Sequence, residues 1–320
     1  MRFLKHILFA VVVIFPIGMF ASDPAQMLLA AGRVDDAISS LQGQLHSKPN
    51  DAQSYNLLCR AYLALDNWDA GIQNCEKAVS LEPNSSQYHM WLGRIYGEKA
   101  DRVSFWSAAG MAKKVRSAFE TAVQLDPNNV EARTDLAEFY LEAPGIVGGG
   151  KDKAEAQAQT IAQRDPAKAN WVLGRIAEKK KDYSGAEKYY RAAIEASHGS
   201  AESWLNLALF FRNRQRLDEM EDAIQRATSV QSGHSEVLVD SAETLNRTGR
   251  NLPSAIQLLK RYLASNSTVE QAPAFKAHYL LGTLLEKQGD KQAAKQEYQA
   301  ALSMAHNFSQ AQDALNRVNR

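Results

Sequence analysis

Residues 52–85 read AQSYNLLCRAYLALDNWDAGIQNCEKAVSLEPNS, and the spacing within this stretch decides the fold. Tyr55, Leu58 and Tyr62 recur at intervals of three and four, which places them on one face of a helix. Cys59, Gly71, Cys75 and Ala78 are small and fall where a second helix would touch the first closely. Asp66-Asn67 supplies a turn between the two, and Pro83 closes the hairpin. Working outward, Pro49, Pro83, Pro127 and Pro166 each end such a hairpin, the first two 34 residues apart. Trp204, Leu207, Ala208, Phe211 and Ala227 repeat the pattern. His278, Leu281, Gly282, Leu285, Ala294, Tyr298 and Ala301 repeat it again. Gly32-Arg33, Lys181-Asp182, Thr248-Gly249-Arg250 and Gln288-Gly289-Asp290 supply further turns.

One helix pair cannot bury its own apolar face, so such units stack. The recurring pattern resembles the tetratricopeptide (TPR) repeat family over residues 24–320. The resemblance implies an all-α solenoid, a right-handed superhelix of stacked antiparallel helix pairs with a concave inner surface. Eight frames are expected: 24–51 with a shortened first helix, 52–85, 86–129, 130–166, 167–200, 201–234, 235–274 and 275–308. Residues 309–320 read as a capping helix. Two frames depart from the pattern. One carries about ten extra residues between Tyr96 and Phe119, including Phe105, Trp106 and Met111; insertions in repeat arrays lie on one face as loops or lengthened helices. The other holds the glycine-rich stretch Ala143–Gly150.

In the family the first helix of each pair lines the groove, chiefly through its second, fifth, ninth and twelfth residues. Carried onto this chain, those slots include Asn56, Arg60, Met90, Arg94, Trp171, Arg175, Arg212 and Tyr279, with Glu138, Leu205, Leu209 and Glu243. Arginine recurs at one slot in three frames, Arg60, Arg94 and Arg175. Guanidinium groups hold carboxylates bidentately, and Trp171, Met90 and Tyr279 offer apolar anchors. The resemblance therefore implies a protein or peptide partner in the groove. The alternative is a solvated face whose arginines pair with nearby acids. The Arg-Asn-Lys carboxylate clamp of chaperone-binding members is not reproduced.

Composition fits a water-soluble folded chain: 45% hydrophobic and 23% charged residues over 320 positions, with a mean hydropathy of −0.38. A net charge of +1 gives no overall field toward nucleic acid or an anionic membrane. Residues 1–21 stand apart. Arg2, Lys5 and His6 precede the apolar run Ile7–Phe20, and Ala21-Ser22 follow it, the pattern of a cleaved secretory signal. The run is about 14 residues, short of the ~20 a membrane span needs, so an uncleaved anchor is the weaker reading. Cleavage removes two basic residues and no acidic one, turning +1 into −1. No cysteine follows to take a lipid, so export to a periplasm or extracellular space is expected.

Cys59 and Cys75 are the only cysteines. They lie at nearly equal distances from the turn at Asn67, so they face each other across the hairpin, either bridged in an oxidising compartment or as two buried thiols. Gly145, Gly150 and Lys151 imitate a phosphate loop. Asp152 stands where Ser or Thr must hold magnesium, and the preceding segment reads as a helix, so nucleotide binding is not expected. The seven histidines are dispersed, giving no metal site, and neither a cofactor nor a nucleophile–base arrangement is legible. A scaffold, not an enzyme, is expected: a monomer whose N-terminal edge at Met27, Leu28 and Leu29 would receive any partner or second copy. The competing reading is a small-molecule or glycan-binding solenoid serving a transport or polysaccharide export system through Phe105, Trp106 and Trp171.

Overall fold

A computed structural model describes residues 23–230, 235–265 and 267–320, apart from the side chains at 105 and 106. The leader at 1–21, His234 and the Phe105–Trp106 side chains lie outside the described residues. Helices alone build the described chain, in eight antiparallel pairs. The pairs are α1 (Pro24–Ala30) with α2 (Val34–Ser47), α3 (Ala52–Ala64) with α4 (Trp68–Leu81), and α5 (Ser86–Ala100) with α6 (Phe105–Leu125). Next come α7 (Val130–Glu142) with α8 (Lys151–Ile161), α9 (Pro166–Lys179) with α10 (Tyr183–Ala196), and α11 (Ala201–Asn213) with α12 (Leu217–Ser229). The series ends with α13 (Glu236–Thr248) and α14 (Leu252–Leu263), α15 (Ala274–Lys287) and α16 (Lys291–Met304), and the single helix α17 (Ser309–Val318).

Local chemistry sets where these helices begin. The side chains of Asp51, Asn67, Asn129, Asp165, Asp182 and Asp290 each accept a backbone N–H from the first turn that follows, satisfying donors a helix end leaves open. Within the pairs, a left-handed residue breaks the chain just before the second helix: Gly32, Asp66, Lys181, Gln215, Gly249 and Gly289. The small-residue slot read from sequence is a ring seat. Phe119, Tyr190 and Tyr298 lie against Gly93, Gly174 and Gly282, so closely that a Cβ there would overlap the rings. The Tyr298 hydroxyl donates to Glu286 at 2.7 Å, and Tyr190 makes the same bond to Glu178.

The ten-residue insertion forms no loop. It lengthens both helices of the third pair, α6 reaching 21 residues. The glycine-rich stretch becomes one turn of 3-10 helix at Gly145–Val147, with Gly148 in the left-handed region. It is tied down by Gly150 N–H donating to Tyr140 O (2.7 Å) and Lys153 Nζ donating to Gly148 O (2.9 Å).

The solenoid completes a turn and its two ends meet. Leu29, Val34, Leu41 and Leu57 from the first two pairs share one buried cluster with Phe275, Ala301, Phe308 and Ala311 from the last pair and α17. Gly32 abuts the start of α15 so tightly that a Cβ would lie 2.4 Å from the Ala274 nitrogen. Asp35 accepts from the His306 backbone N–H at 2.7 Å, and Lys276 reaches Asp66 at 3.2 Å. The N-terminal edge, expected to be free for a partner, is therefore covered by the chain's own last hairpin. Leu29 is buried and Leu28 partly so, leaving Met27 the exposed residue of the three. The physical reason is the curvature accumulated over eight pairs, which returns the last pair to the first.

Candidate functional site

The inner wall is laid by the first helix of each pair, and ion pairs cross it from helix to helix. Arg94 on α5 donates to Asp135 (2.6 Å) and Glu131 (3.2 Å) on α7. From the other side of α7, Glu138 and Glu142 accept from Arg175 on α9 at 2.6 and 3.0 Å, and Lys179 adds a bond to Glu142. Lys168 continues the ladder from α9 to Glu202 on α11. Arg60 on α3 pairs with Glu270, which precedes α15, through Nε–Oε1 at 2.8 Å and a second, shorter bond. That pair ties the second hairpin to the last. Trp91 lies between two of these guanidiniums, Arg60 at 4.8 Å and Arg94 at 4.7 Å from its ring centre. Burial pushes the Asp135 and Glu138 carboxyls up, against the pull of the arginines that hold them.

Arg60, Arg94 and Arg175 thus spend their donors inside the protein, the pairing with nearby acids that the sequence left open. Two further residues assigned to the wall are not on it. Asn56 and Met90 are 2% and 4% exposed. Both hold the fifth slot of their frame and turn toward the neighbouring helices, whereas Trp171, fifth in a frame whose helix starts one residue earlier at Pro166, stays on the wall; in four other frames the wall position is the sixth slot. Trp91, Asp135, Asn206 and Asp240 occupy that sixth slot, and a family-derived choice of positions missed them. Tyr279 is also displaced: its ring packs on Tyr298 (5.9 Å) and Phe308 (5.4 Å) in the core beneath the closure.

Trp171, Arg175 and Arg212 do come together, around a cavity of about 420 Å3 that Asn206, Leu209 and Asn213 also line. A second cavity of about 320 Å3 lies on the other side of Trp171, with Asn206 common to both and Lys168, Glu202 and Ser203 beyond it. Arg212 differs from the other wall arginines. Its hydrogen bonds among the described residues run to the Asn213 amide oxygen, at 3.4 and 3.2 Å, and none runs to a carboxylate. Desolvation, then the neighbouring Arg247, draws its pKa below the usual guanidinium range, against the pull of Glu243. Beside Arg212, the next wall helix, α13, carries Glu236, Asp240 and Glu243. Desolvation within the concave wall, reinforced by Glu243 and Glu236, pushes Asp240 up to about 6.

Cys59 and Cys75 are bridged, their Cα atoms 5.2 Å apart, locking α3 to α4. Among the described residues no cluster of His, Cys, Asp and Glu could hold a metal ion, and no helix is long and apolar enough to cross a membrane. Lys151 donates to the Lys179 carbonyl instead of facing an anion, and its loop follows α7, a helix.

Stacked helix pairs, a ladder-lined concave wall and small cavities between its helices define a repeat scaffold of the interaction type. The chain belongs to the tetratricopeptide repeat family: family models described as tetratricopeptide repeat match residues 28–95, 148–201 and 246–312, more than half of its length. Yeast Tom70 is similar in fold, with a TM-score of 0.56 at 15% identity over 99% of this chain and 66% of that one. A TPR protein from Thermus thermophilus gives 0.49 at 19% identity over 58% of this chain and 95% of that one. In sequence, the human protein O-mannosyl-transferase TMTC3 is 21% identical over 222 residues, 67% of this chain. The chain spans about a quarter of that relative's length, 24%. TPR folds are typically non-catalytic and generally bind protein partners, which sets the coarse function here.

Proposed function

We propose that this chain is an exported, monomeric adaptor that receives a carboxylate-bearing segment of a protein partner on its concave wall, at the cavities flanking Trp171. The observation that carries this reading is the unpaired Arg212. A partner's carboxylate meeting Arg60, Arg94 or Arg175 has to displace Glu270, Asp135 or Glu138, an exchange of one ion pair for another with little net gain. At Arg212 it displaces only a long bond to Asn213. Asn206 and Asn213 add amide groups able to bond a peptide backbone, and Trp171 with Leu209 gives apolar contact. Export is supported by the basic and apolar pattern at 1–21 and by the Cys59–Cys75 bridge, which suits an oxidising compartment.

The test is titration of the intact chain with short peptides ending in a free carboxylate or in an amide. The free acid is expected to bind at least tenfold tighter, and Arg212→Ala to erase the difference while leaving helicity by circular dichroism unchanged. Arg94→Ala, judged by the same preference, is expected to matter less. Equal affinity of acid and amide for the wild type sinks the assignment.

A further inference from the structure

The two departures from the repeat meet in space. The lengthened ends of α5 and α6, the end of α7 and the tied turn at 144–147 enclose a cavity of about 550 Å3, larger than either cavity at Trp171. Its floor is apolar and built of small side chains, among them Gly97, Ala108, Ala109 and Ala112, with Phe119 and Val147 behind them. Small residues let an incoming chain lie close to the helix backbones. The mouth is acidic. Among the described residues the exposed carboxylates of Glu98 and Asp101 engage no hydrogen bond or ion pair, whereas Glu138 and Glu142 are held by Arg175. At the rim Ile146 stands 92% exposed on a turn whose backbone is fixed by Arg116 Nη1 donating to Val147 O (3.3 Å) and by the Gly150–Tyr140 bond.

We infer that this cavity is a second binding site, separate from the Arg212 wall, for a polypeptide segment in which apolar side chains alternate with lysine or arginine. Each feature selects for that chemistry. The apolar floor takes aliphatic side chains, and the fixed, solvent-facing Ile146 extends the apolar surface past the rim, so the occupant is longer than the cavity itself. Two uncompensated carboxylates at the mouth attract a cationic side chain and repel phosphate or carboxylate head groups, which disfavours lipids and nucleotides. The turn is already held in place, so the protein orders little on binding.

The probes are three labelled synthetic peptides, one repeating Lys-Leu-Ala-Leu, one with Glu for Lys, and one with Ser for Leu, titrated into the intact chain by fluorescence anisotropy. The Lys-Leu peptide is expected to bind at least tenfold tighter than either of the others, and to weaken as salt rises. The paired change Glu98→Gln, Asp101→Asn is expected to lose about tenfold in affinity at unchanged helicity. Ala109→Trp, which fills the floor, tests the apolar half by the same readout. The carboxylate-ending peptide that probes Arg212 is expected not to displace the Lys-Leu peptide, so failure at one site is read separately from failure at the other. Equal binding of the Lys and Glu peptides, no measurable binding of any of the three, or wild-type affinity in both variants overturns the inference.

Discussion

Glu270→Ala is the change that interrogates the closure most directly. Glu270 and Arg60 are 14% and 11% exposed in their side chains, so removing the carboxylate strands a nearly buried guanidinium. Breaking a buried pair from one side costs about 3–5 kcal/mol. The lower end applies here because Arg60 keeps its place over the Trp91 ring. The remaining contacts between the ends, Lys276–Asp66, His306–Asp35 and the shared cluster around Phe308, stay in place, so the effect falls on local opening and not on global unfolding. About 3 kcal/mol corresponds to roughly a hundredfold faster amide exchange through opening of the joined ends. Hydrogen exchange read by mass spectrometry over 24–47 and 291–318 measures it, with helices α9–α12 as the internal reference. Replacing Arg60 as well, as Arg60→Leu with Glu270→Leu, is expected to restore most of the protection, because no charge is then left uncompensated. Unchanged exchange at both ends in Glu270→Ala, or a double variant as exposed as the single, would refute the claim that this pair holds the ring shut.

Three further outcomes follow from the wall and from the backbone. Asp240 has its pKa raised in the folded state to about 6, so folding takes up a proton between about pH 4 and 6, and the charged carboxylate opposes stability above that window. Asp240→Asn is expected to raise thermal stability at pH 7, by about 1 kcal/mol once screening of this exposed group is counted, and the two melting curves should converge near pH 4; equal stability at pH 7 would contradict the assignment. Gln215 is held at φ +58, a region that costs a non-glycine residue about 1 kcal/mol, so Gln215→Gly is expected to raise the unfolding midpoint. Gly32→Ala shares the left-handed conformation but drives a Cβ to 2.4 Å from Ala274 N, and should lower the midpoint while opening the closure.

The helix pairs were legible because their signal is local. The spacing of Tyr55, Leu58 and Tyr62, and the small slots at Gly71 and Gly282, are set by neighbours within a pair or the next one. The turns and the facing of Cys59 and Cys75 follow from distances of a few tens of residues, while the bridge between the two cysteines came from the structure. The closure was not legible, because Arg60 meets Glu270 across 210 positions and nothing in either residue's neighbourhood marks the other. That event depends on rotation summed over all eight pairs. For the same reason the edge at Leu29 read as free. The wall residues were half legible. Slot numbers carried from the family put Trp171, Arg175 and Arg212 together but sent Asn56 and Met90 inward, since a one-residue step turns a side chain by about 100° around the helix. Trp91 had a usable signal, a large aromatic one place past the expected anchor and three residues before Arg94. The spare carboxylates that neutralise the arginines also had one: Glu131, Asp135, Glu138 and Glu142 recur at three- and four-residue steps along a single helix.

Closure changes what a repeat scaffold can do with its inner face. An open stack bends at each interface, and a ligand that prefers one curvature has to select it. With Arg60 joined to Glu270 and the first pair packed under Phe275 and Phe308, the curvature of the whole wall is fixed by contacts far from repeats five and six. The distance across the Trp171 cavities, between α9 and α11, is therefore set before a partner arrives, and the cost of ordering falls on the partner alone. The ion-pair ladder acts in the same direction: each rung from Arg94 to Lys168 joins two wall helices, so sliding one helix means breaking charge-assisted bonds on both sides of it. A wall stiffened by spending its arginines on its own acids can offer a ligand only what the ladder leaves over, and on α11 that remainder is Arg212.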